Sequence, residues 1–131
     1  MKVVLDTNVL IAAFISHGAC HELLEHCAIN HEVFISSFIL SEVKEKLTQK
    51  FDYTGQESDA VVMLLKSRFI RVKPVELRSP VCRDVDDDTI LGTALAGGCD
   101  CIITGDKDLL TLKIFRKMRI ISPADFWAIE N

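Results

Sequence analysis

The sequence predicts an α/β fold built on a parallel sheet. Short apolar runs alternate with longer segments of helical periodicity along the whole chain, a pattern typical of consecutive strand–helix–strand units. The first run, Lys2–Leu5 (KVVL), has three consecutive apolar residues, as expected for a strand that is buried on both faces. With 131 residues, of which 49% are hydrophobic, the chain is long enough to bury a core. One domain, residues 1–131, is therefore expected.

Each element follows from its own pattern, in order along the chain. Five short apolar runs are predicted to form strands: Lys2–Leu5, Glu32–Ile35, 69–72, Cys101–Ile103 and Met118–Ile121. Helices are predicted where apolar residues recur at spacings of three and four: 9–14 (with Thr7 or Asn8 as cap), 19–29, 36–51, 57–68, 90–96 and 123–129. Residues 73–83 carry two prolines and no period, which indicates a crossing loop, and residues 108–110 form one short turn.

Composition restricts where the protein works and what it binds. No apolar run reaches the ~18 residues of a membrane span, and the chain starts on a strand without the cleavage site of a signal peptide. A cytoplasmic protein is expected. Fifteen Lys and Arg against nineteen Asp and Glu give a net charge of −4. The chain as a whole thus lacks the basic footprint of a general nucleic-acid binder.

Neither the cysteines nor the histidines predict a metal site. The five cysteines are an odd number without framework spacing, and zinc would need further ligands. Reduced, buried thiols are expected. His17 and His21 are four residues apart on a predicted helix, but no acid or cysteine completes a ligand set. His17, His21, His26 and His31 are therefore expected to be surface histidines.

Four acidic residues are predicted to gather at one edge of the sheet. Asp6 directly follows the first strand, and Asp106 follows the fourth. Glu42 lies one turn into the helix after the second strand, and Asp87 opens the helix before the fourth. In open α/β sheets ligand sites form at the carboxyl ends of the strands. Taken singly, each acid has a simpler interpretation: a helix cap for an aspartate at a helix start, or an ion pair with Lys46 for Glu42.

The chemistry of four clustered acids favours a divalent cation. Asp84, Asp86 and Asp88 have the initial spacing of an EF-hand loop, but Thr89 and Leu95 stand where that loop needs Gly and Glu. Four carboxylates in one pocket would repel and raise one another's pKa. An all-carboxylate, water-rich site suits Mg²⁺ or Mn²⁺, which activates water against a phosphodiester.

Four segments of the chain resemble the PIN domain family. They are VVLDTNVLIAAF at 3–14, SSFILSEVKEKL at 36–47, DDDTILGTALAGGCDCIITGDKDLL at 86–110 and ISPADF at 121–126. Together they span almost the whole chain in the family's order. The DTN and TGDKDLL pieces are most similar to VapC-type toxins of bacterial and archaeal toxin–antitoxin pairs. The resemblance implies a three-layer α/β/α fold with a parallel five-stranded sheet.

The resemblance also implies an activity and a set of site residues. Asp6, Glu42, Asp87 and Asp106 fall on the family's acidic quartet, which holds Mg²⁺ or Mn²⁺ for endonucleolytic cleavage of RNA. Asp88 remains the alternative to Asp87 as the third acid, because the choice between the two depends on the register of the helix. Asn8 and Thr104 match polar positions that steady the first aspartate and the metal. A homodimer and a cognate antitoxin protein are the implied partners.

Two other functions compete with that expectation. The VVLD strand end also resembles the start of a haloacid dehalogenase, which would form an aspartyl-phosphate on Asp6. Such enzymes place a second aspartate two residues later, where this chain has Asn8. The other alternative is a non-catalytic module that binds RNA or protein, which the intact acids argue against.

Overall fold

The computed structural model describes residues 1–16 and 18–130. Its strands are β1 Lys2–Leu5, β2 Glu32–Ile35, β3 Ile70–Arg71, β4 Cys101–Ile103, β5 Ile114–Phe115 and β6 Met118–Ile121. Its helices are α1 Thr7–Ile15, α2 Ala19–Asn30, α3 Ser37–Lys50, α4 Gly55–Arg68, α5 Val85–Gly97, α6 Lys107–Leu112 and α7 Pro123–Glu130. Helices flank the sheet, so the predicted three-layer α/β/α architecture is confirmed.

The strands form one sheet in the order β3-β2-β1-β4-β6-β5. The chain moves outward from β1 to β2 and β3, then returns to the other side of β1 to add β4. The strand order therefore reverses between β1 and β4, which pair in parallel with Leu5 beside Ile103. This reversal is the position where α/β sheets open a crevice for ligands. The residues that follow β1 and β4 consequently lie at the edge of that crevice.

All five predicted strands are present, and the structure adds a sixth. The third strand is shorter than the predicted 69–72, because Phe69 ends α4. The additional strand β5 pairs antiparallel with β6, so five of the six strands are parallel. Arg116 and Lys117 connect the two with φ of 46° and 72°. This left-handed backbone is normally signalled by Asn or Gly, and neither is present here.

Helices α1, α5 and α6 each begin at an aspartate whose side chain caps the helix. Asp6 caps α1, so the prediction of Thr7 or Asn8 as the cap is wrong. Asp84 caps α5 through a hydrogen bond from the Asp86 amide. The turn predicted at 108–110 is a longer helix, α6, that starts directly after Asp106. Asp6 and Asp106 are therefore both helix caps and strand-end residues.

The core between the layers fixes β1 and β4 firmly. Val3, Val4, Ile102 and Ile103 have no exposed surface. Burying a side chain of this size contributes roughly 1.5–3 kcal/mol.

Across the described ranges, no helix is both long enough and apolar enough to pass through a bilayer.

Candidate metal centre

Asp6 is held at the end of β1 by bonds to both carboxylate oxygens. The Thr7 amide donates to Oδ1 at 2.7 Å, and the Thr104 hydroxyl donates to Oδ2 at 2.7 Å. The Asp6 amide also continues the sheet ladder by donating to the Ile103 carbonyl at 3.0 Å. Only 6% of the residue is exposed. A buried carboxylate needs such partners, and Thr104 provides one at the position where the sequence places a supporting residue.

Glu42 is joined to the same end of the sheet through Thr7. The Thr7 hydroxyl donates to Glu42 Oε1 at 2.7 Å, so one residue contacts both predicted acids through its amide and its hydroxyl. The alternative ion pair between Glu42 and Lys46 is not among the salt bridges of residues 1–16 and 18–130. Lys46 Nζ instead donates to Asn8 Oδ1 at 3.2 Å. Asn8 is therefore bonded to the ammonium group of Lys46.

The other two acids approach from α5 and from the start of α6. Asp106 caps α6 by accepting from the Leu109 amide at 3.0 Å, and its own amide donates to Thr104 Oγ1 at 2.9 Å. Asp87 lies in the first turn of α5. Possible ligand atoms of Asp87, Asp106 and Asp108 all lie within 4.8 Å of one another. The Thr104 hydroxyl thus forms hydrogen bonds with both strand-end acids, Asp6 and Asp106.

One cavity brings all four predicted acids together. It has a volume of about 180 Å³. Its lining residues are Asp6, Thr7, Asn8, Glu42, Lys46, Asp84, Asp86, Asp87, Ile90 and Asp106. Six of these are carboxylates, and Lys46 is the one cation among them. We refer to this space as the acidic cavity.

Asp88 and Asp108 have different surroundings from those expected. Both oxygens of Asp88 accept from the Val81 amide, and Oδ1 also accepts from the Cys82 amide at 2.8 Å. Asp88 does not line the acidic cavity; it anchors the crossing loop. Asp108 was not predicted, although it follows Asp106 by two residues. Arg83 Nη2 donates to both of its oxygens, at 2.8 and 3.0 Å.

Burial and mutual repulsion weaken the acidity of this cluster. Burial raises the pKa of Asp6, with a further contribution from the charge of Asp106, although hydrogen bonds from Thr104 and Thr7 oppose the rise. Burial also raises the pKa of Glu42. The pKa of Asp87 rises to about 6, because of burial and then the charges of Asp106 and Asp84. The ionised cluster therefore carries unfavourable energy that a bound cation would relieve.

The donor set of the acidic cavity fits a hard divalent cation. Its ligand-capable groups are carboxylate oxygens on four different elements, together with hydroxyl and amide oxygens. Mg²⁺ and Mn²⁺ prefer such oxygen ligands and retain several waters, and the cavity has room for water. Among residues 1–16 and 18–130, neither cysteine nor histidine lines it, so its chemistry does not favour zinc.

The fold and the site define the class of protein: a doubly wound parallel α/β domain with a polycarboxylate cavity at its switch point. A family model described as PIN domain matches residues 2–108. The chain belongs to the PIN domain family. A relative in Methanocaldococcus jannaschii, the uncharacterized protein MJ1680, is 33% identical over 119 residues, which cover 86% of this chain and 76% of the relative.

Solved structures of VapBC proteins and of a VapC toxin share this fold. VapBC-1 from nontypeable Haemophilus influenzae is 17% identical, with a TM-score of 0.66 over 95% of this chain and 99% of that chain. VapBC2 from Rickettsia felis, bound to a DNA fragment from its promoter, is 17% identical, with a TM-score of 0.65 over 93% and 98%. VapC20 from Mycobacterium tuberculosis, a sarcin-ricin loop cleaving toxin, is 17% identical, with a TM-score of 0.59 over 89% and 98%.

Proposed function

We propose that this protein is a metal-dependent endoribonuclease and the toxin component of a toxin–antitoxin pair. The observation that carries the proposal is the convergence of Asp6, Glu42, Asp87 and Asp106 on one cavity. These acids come from positions up to a hundred residues apart in the sequence. Solubility and helix capping explain each acid singly but not their convergence.

In this proposal the four acids hold Mg²⁺ or Mn²⁺, and Asp108 lies close enough to contribute a further oxygen. The bound ion would supply an activated water and neutralise the charge that develops on the phosphate. Thr104 and Thr7 keep the oxygens of Asp6 and Glu42 in place before any ion arrives. Such preorganised ligands need little rearrangement on binding.

Two basic side chains at the acidic cavity can contact the phosphates of an RNA. Lys46 lies in the cavity wall beside Asn8, where its ammonium group can contact a phosphate near the reacting bond. Arg83 is 87% exposed at its side chain and is held at the rim by Asp108. The net charge of −4 then favours a specific structured RNA over general binding.

The toxin assignment rests on the similar solved structures and on the subgroup that the sequence resembles. Three of them are VapC-type toxins or complexes of such toxins. By analogy, the partners would be a cognate antitoxin protein that covers the acidic cavity and a second copy of the chain. The matches extend over about nine-tenths of the chain, which supports a single PIN domain over residues 1–131. By the same analogy, its RNA substrate would be cytoplasmic.

Cleavage by purified protein tests the nuclease proposal. With Mn²⁺, the wild type should cleave at least one member of a panel of structured RNAs, and EDTA should stop cleavage. Glu42→Gln should lose activity by a factor of at least about 100, as is usual for loss of a catalytic contact. Glu45→Gln, an exposed acid on the same helix, should remain active. No cleavage of any RNA by the wild type, with no calorimetric signal for Mn²⁺, would show an inert fold.

A growth assay tests the toxin proposal separately. Expression of the wild type should arrest a bacterial host, and Asp6→Asn should not. Co-expression with the protein encoded beside it should restore growth if that protein is the antitoxin. Equal growth of the wild type and Asp6→Asn strains, at equal protein levels, would contradict the toxin assignment while leaving the nuclease proposal to the cleavage assay.

A further inference from the structure

A second cluster of possible ligands lies at the opposite edge of the sheet. His26 is on α2, His31 directly follows that helix and precedes β2, and Glu130 is the last residue of α7. His26 Nε2 lies 2.7 Å from Glu130 Oε1, and His31 Nε2 contacts the same oxygen. The three residues offer ligand atoms within 4.8 Å of one another. Two imidazoles and a carboxylate thus converge on one point.

The surroundings hold these side chains in that arrangement. The His31 ring packs against Phe126 with centroids 5.6 Å apart, and the His26 ring packs against Trp127 at 4.8 Å. His31 Nδ1 lies 3.0 Å from the N-terminal amine, which also fixes the ring. The side chains of His31, Glu130 and His26 are 9%, 18% and 28% exposed. The cluster is therefore packed against aromatic side chains and only partly exposed to solvent.

The ligand chemistry differs from that of the acidic cavity. Two imidazole nitrogens and one carboxylate oxygen form a set that zinc accepts readily, with water in a fourth position. Mg²⁺ prefers oxygen ligands alone. The Glu130 carboxylate already lies between the two imidazoles, so the three groups face a common point without rearrangement. The two clusters should consequently select different ions.

We propose that His26, His31 and Glu130 form a zinc site that fastens the end of α7 to α2. Zinc would bind Nε2 of both rings and an oxygen of Glu130, each neutral imidazole would then carry its one proton on Nδ1, and water would complete a tetrahedral set. Because His31 and Glu130 lie at the amino edge of the sheet, the site is separate from the acidic cavity. The inference does not depend on the proposed nuclease activity.

Calorimetric titration of the full chain with Zn²⁺ tests the site. Excess Mg²⁺ is present throughout, so that the hard cation occupies the acidic cavity. The wild type should bind one zinc ion per chain. Glu130→Gln and His26→Gln should each weaken binding by at least about tenfold, the minimum expected for the loss of a ligand. His21→Gln, a histidine on the same helix outside the cluster, is the matched control and should bind as the wild type does.

A spectroscopic measurement on the wild type covers the case in which a variant fails to fold. Co²⁺ in place of zinc should give the visible absorption of a low-coordinate ion with nitrogen ligands, and one equivalent of Zn²⁺ should abolish it. Absence of this absorption overturns the proposal. Equal zinc affinity in the wild type and both cluster variants also overturns it. The ion would then bind at the thiols or in the acidic cavity, and the cluster at Glu130 would be held by hydrogen bonds alone.

Discussion

Replacing Asp87 by asparagine should stabilise the metal-free protein at neutral pH. Burial, followed by the charges of Asp106 and Asp84, raises the pKa of Asp87 from 3.8 to about 6 in the folded chain. At pH 7.5 the carboxylate is ionised in both the folded and the unfolded chain. Only the folded chain then bears the cost of desolvation and repulsion. The substitution keeps the size of the side chain and removes the charge.

The magnitude follows from the pKa shift after correction for exposure. A shift of about two units corresponds to an upper limit of about 3 kcal/mol, at about 1.36 kcal/mol per unit. Asp87 is only partly buried, so solvent screening reduces this limit to about 1.5 kcal/mol. Loss of a negative charge in the first turn of α5 costs about 0.5 kcal/mol. The net gain of about 1 kcal/mol should raise the melting temperature by about 4 °C.

The same shift makes the stability of the wild type depend on pH. Because the folded pKa of Asp87 lies above its ordinary value, the folded chain binds more protons than the unfolded chain between about pH 6 and pH 4. The contribution of Asp87 therefore makes the protein more stable as the pH falls through that window. In Asp87→Asn this contribution is absent, so the advantage of the variant over the wild type should shrink from pH 7.5 to pH 5.

Urea unfolding in EDTA, followed by circular dichroism at pH 7.5 and pH 5, measures both effects. Asp88→Asn is the matched control, because its carboxylate accepts backbone amides of the crossing loop and should lose stability on neutralisation. Added Mn²⁺ should stabilise the wild type more than Asp87→Asn. An unfolding midpoint of metal-free Asp87→Asn at or below that of the wild type at pH 7.5 would refute the electrostatic reasoning.

Three further substitutions test other parts of the structure. Thr104→Val removes the hydroxyl that donates to the buried Asp6. It should lower the free energy of unfolding by about 1–3 kcal/mol and weaken Mn²⁺ binding in calorimetry. Unchanged stability and affinity would contradict this. Lys46→Gln should tighten Mn²⁺ binding but raise KM for RNA more than it lowers kcat. Gly92→Ala places a Cβ 2.2 Å from the Val75 carbonyl oxygen and should lose about 1–2 kcal/mol in urea unfolding, whereas Gly55→Ala, which meets no atom within 4 Å, should not.

The parts of the fold that depend on local pattern could be predicted from the sequence. β1 and β4 were found because strands buried on both faces read as unbroken apolar runs. The acids that follow them lie at one edge, since parallel strands end together. β5 was missed because its turn uses Arg116 and Lys117 at positive φ. No Asn or Gly signals that geometry, and two-residue strands have no period to detect.

The parts of the site that depend on distant packing could not be predicted in detail. Distinguishing Asp87 from Asp88 depends on the register of the helix. In the structure Asp87 lines the cavity, whereas Asp88 accepts hydrogen bonds from the backbone of the crossing loop. The spacing on α3 predicts Lys46 as a partner of Glu42, but Lys46 contacts Asn8 on α1 instead. His31 and Glu130 are 99 residues apart, and their contact depends on how α7 packs. Residue spacing carries no information on that packing.

The hydrogen bonds at the ends of β1 and β4 fix three of the four predicted acids of the acidic cavity. Asp6 and Asp106 are fastened to adjacent strands through the Asp6 amide and the Thr104 hydroxyl, so their spacing cannot change unless the centre of the sheet opens. Glu42, on α3, is tied to the same strand end by the Thr7 hydroxyl. Asp87 projects from the first turn of α5. A molecule entering the cavity therefore meets three acids whose positions the strand ends set and a fourth that a separate helix supplies.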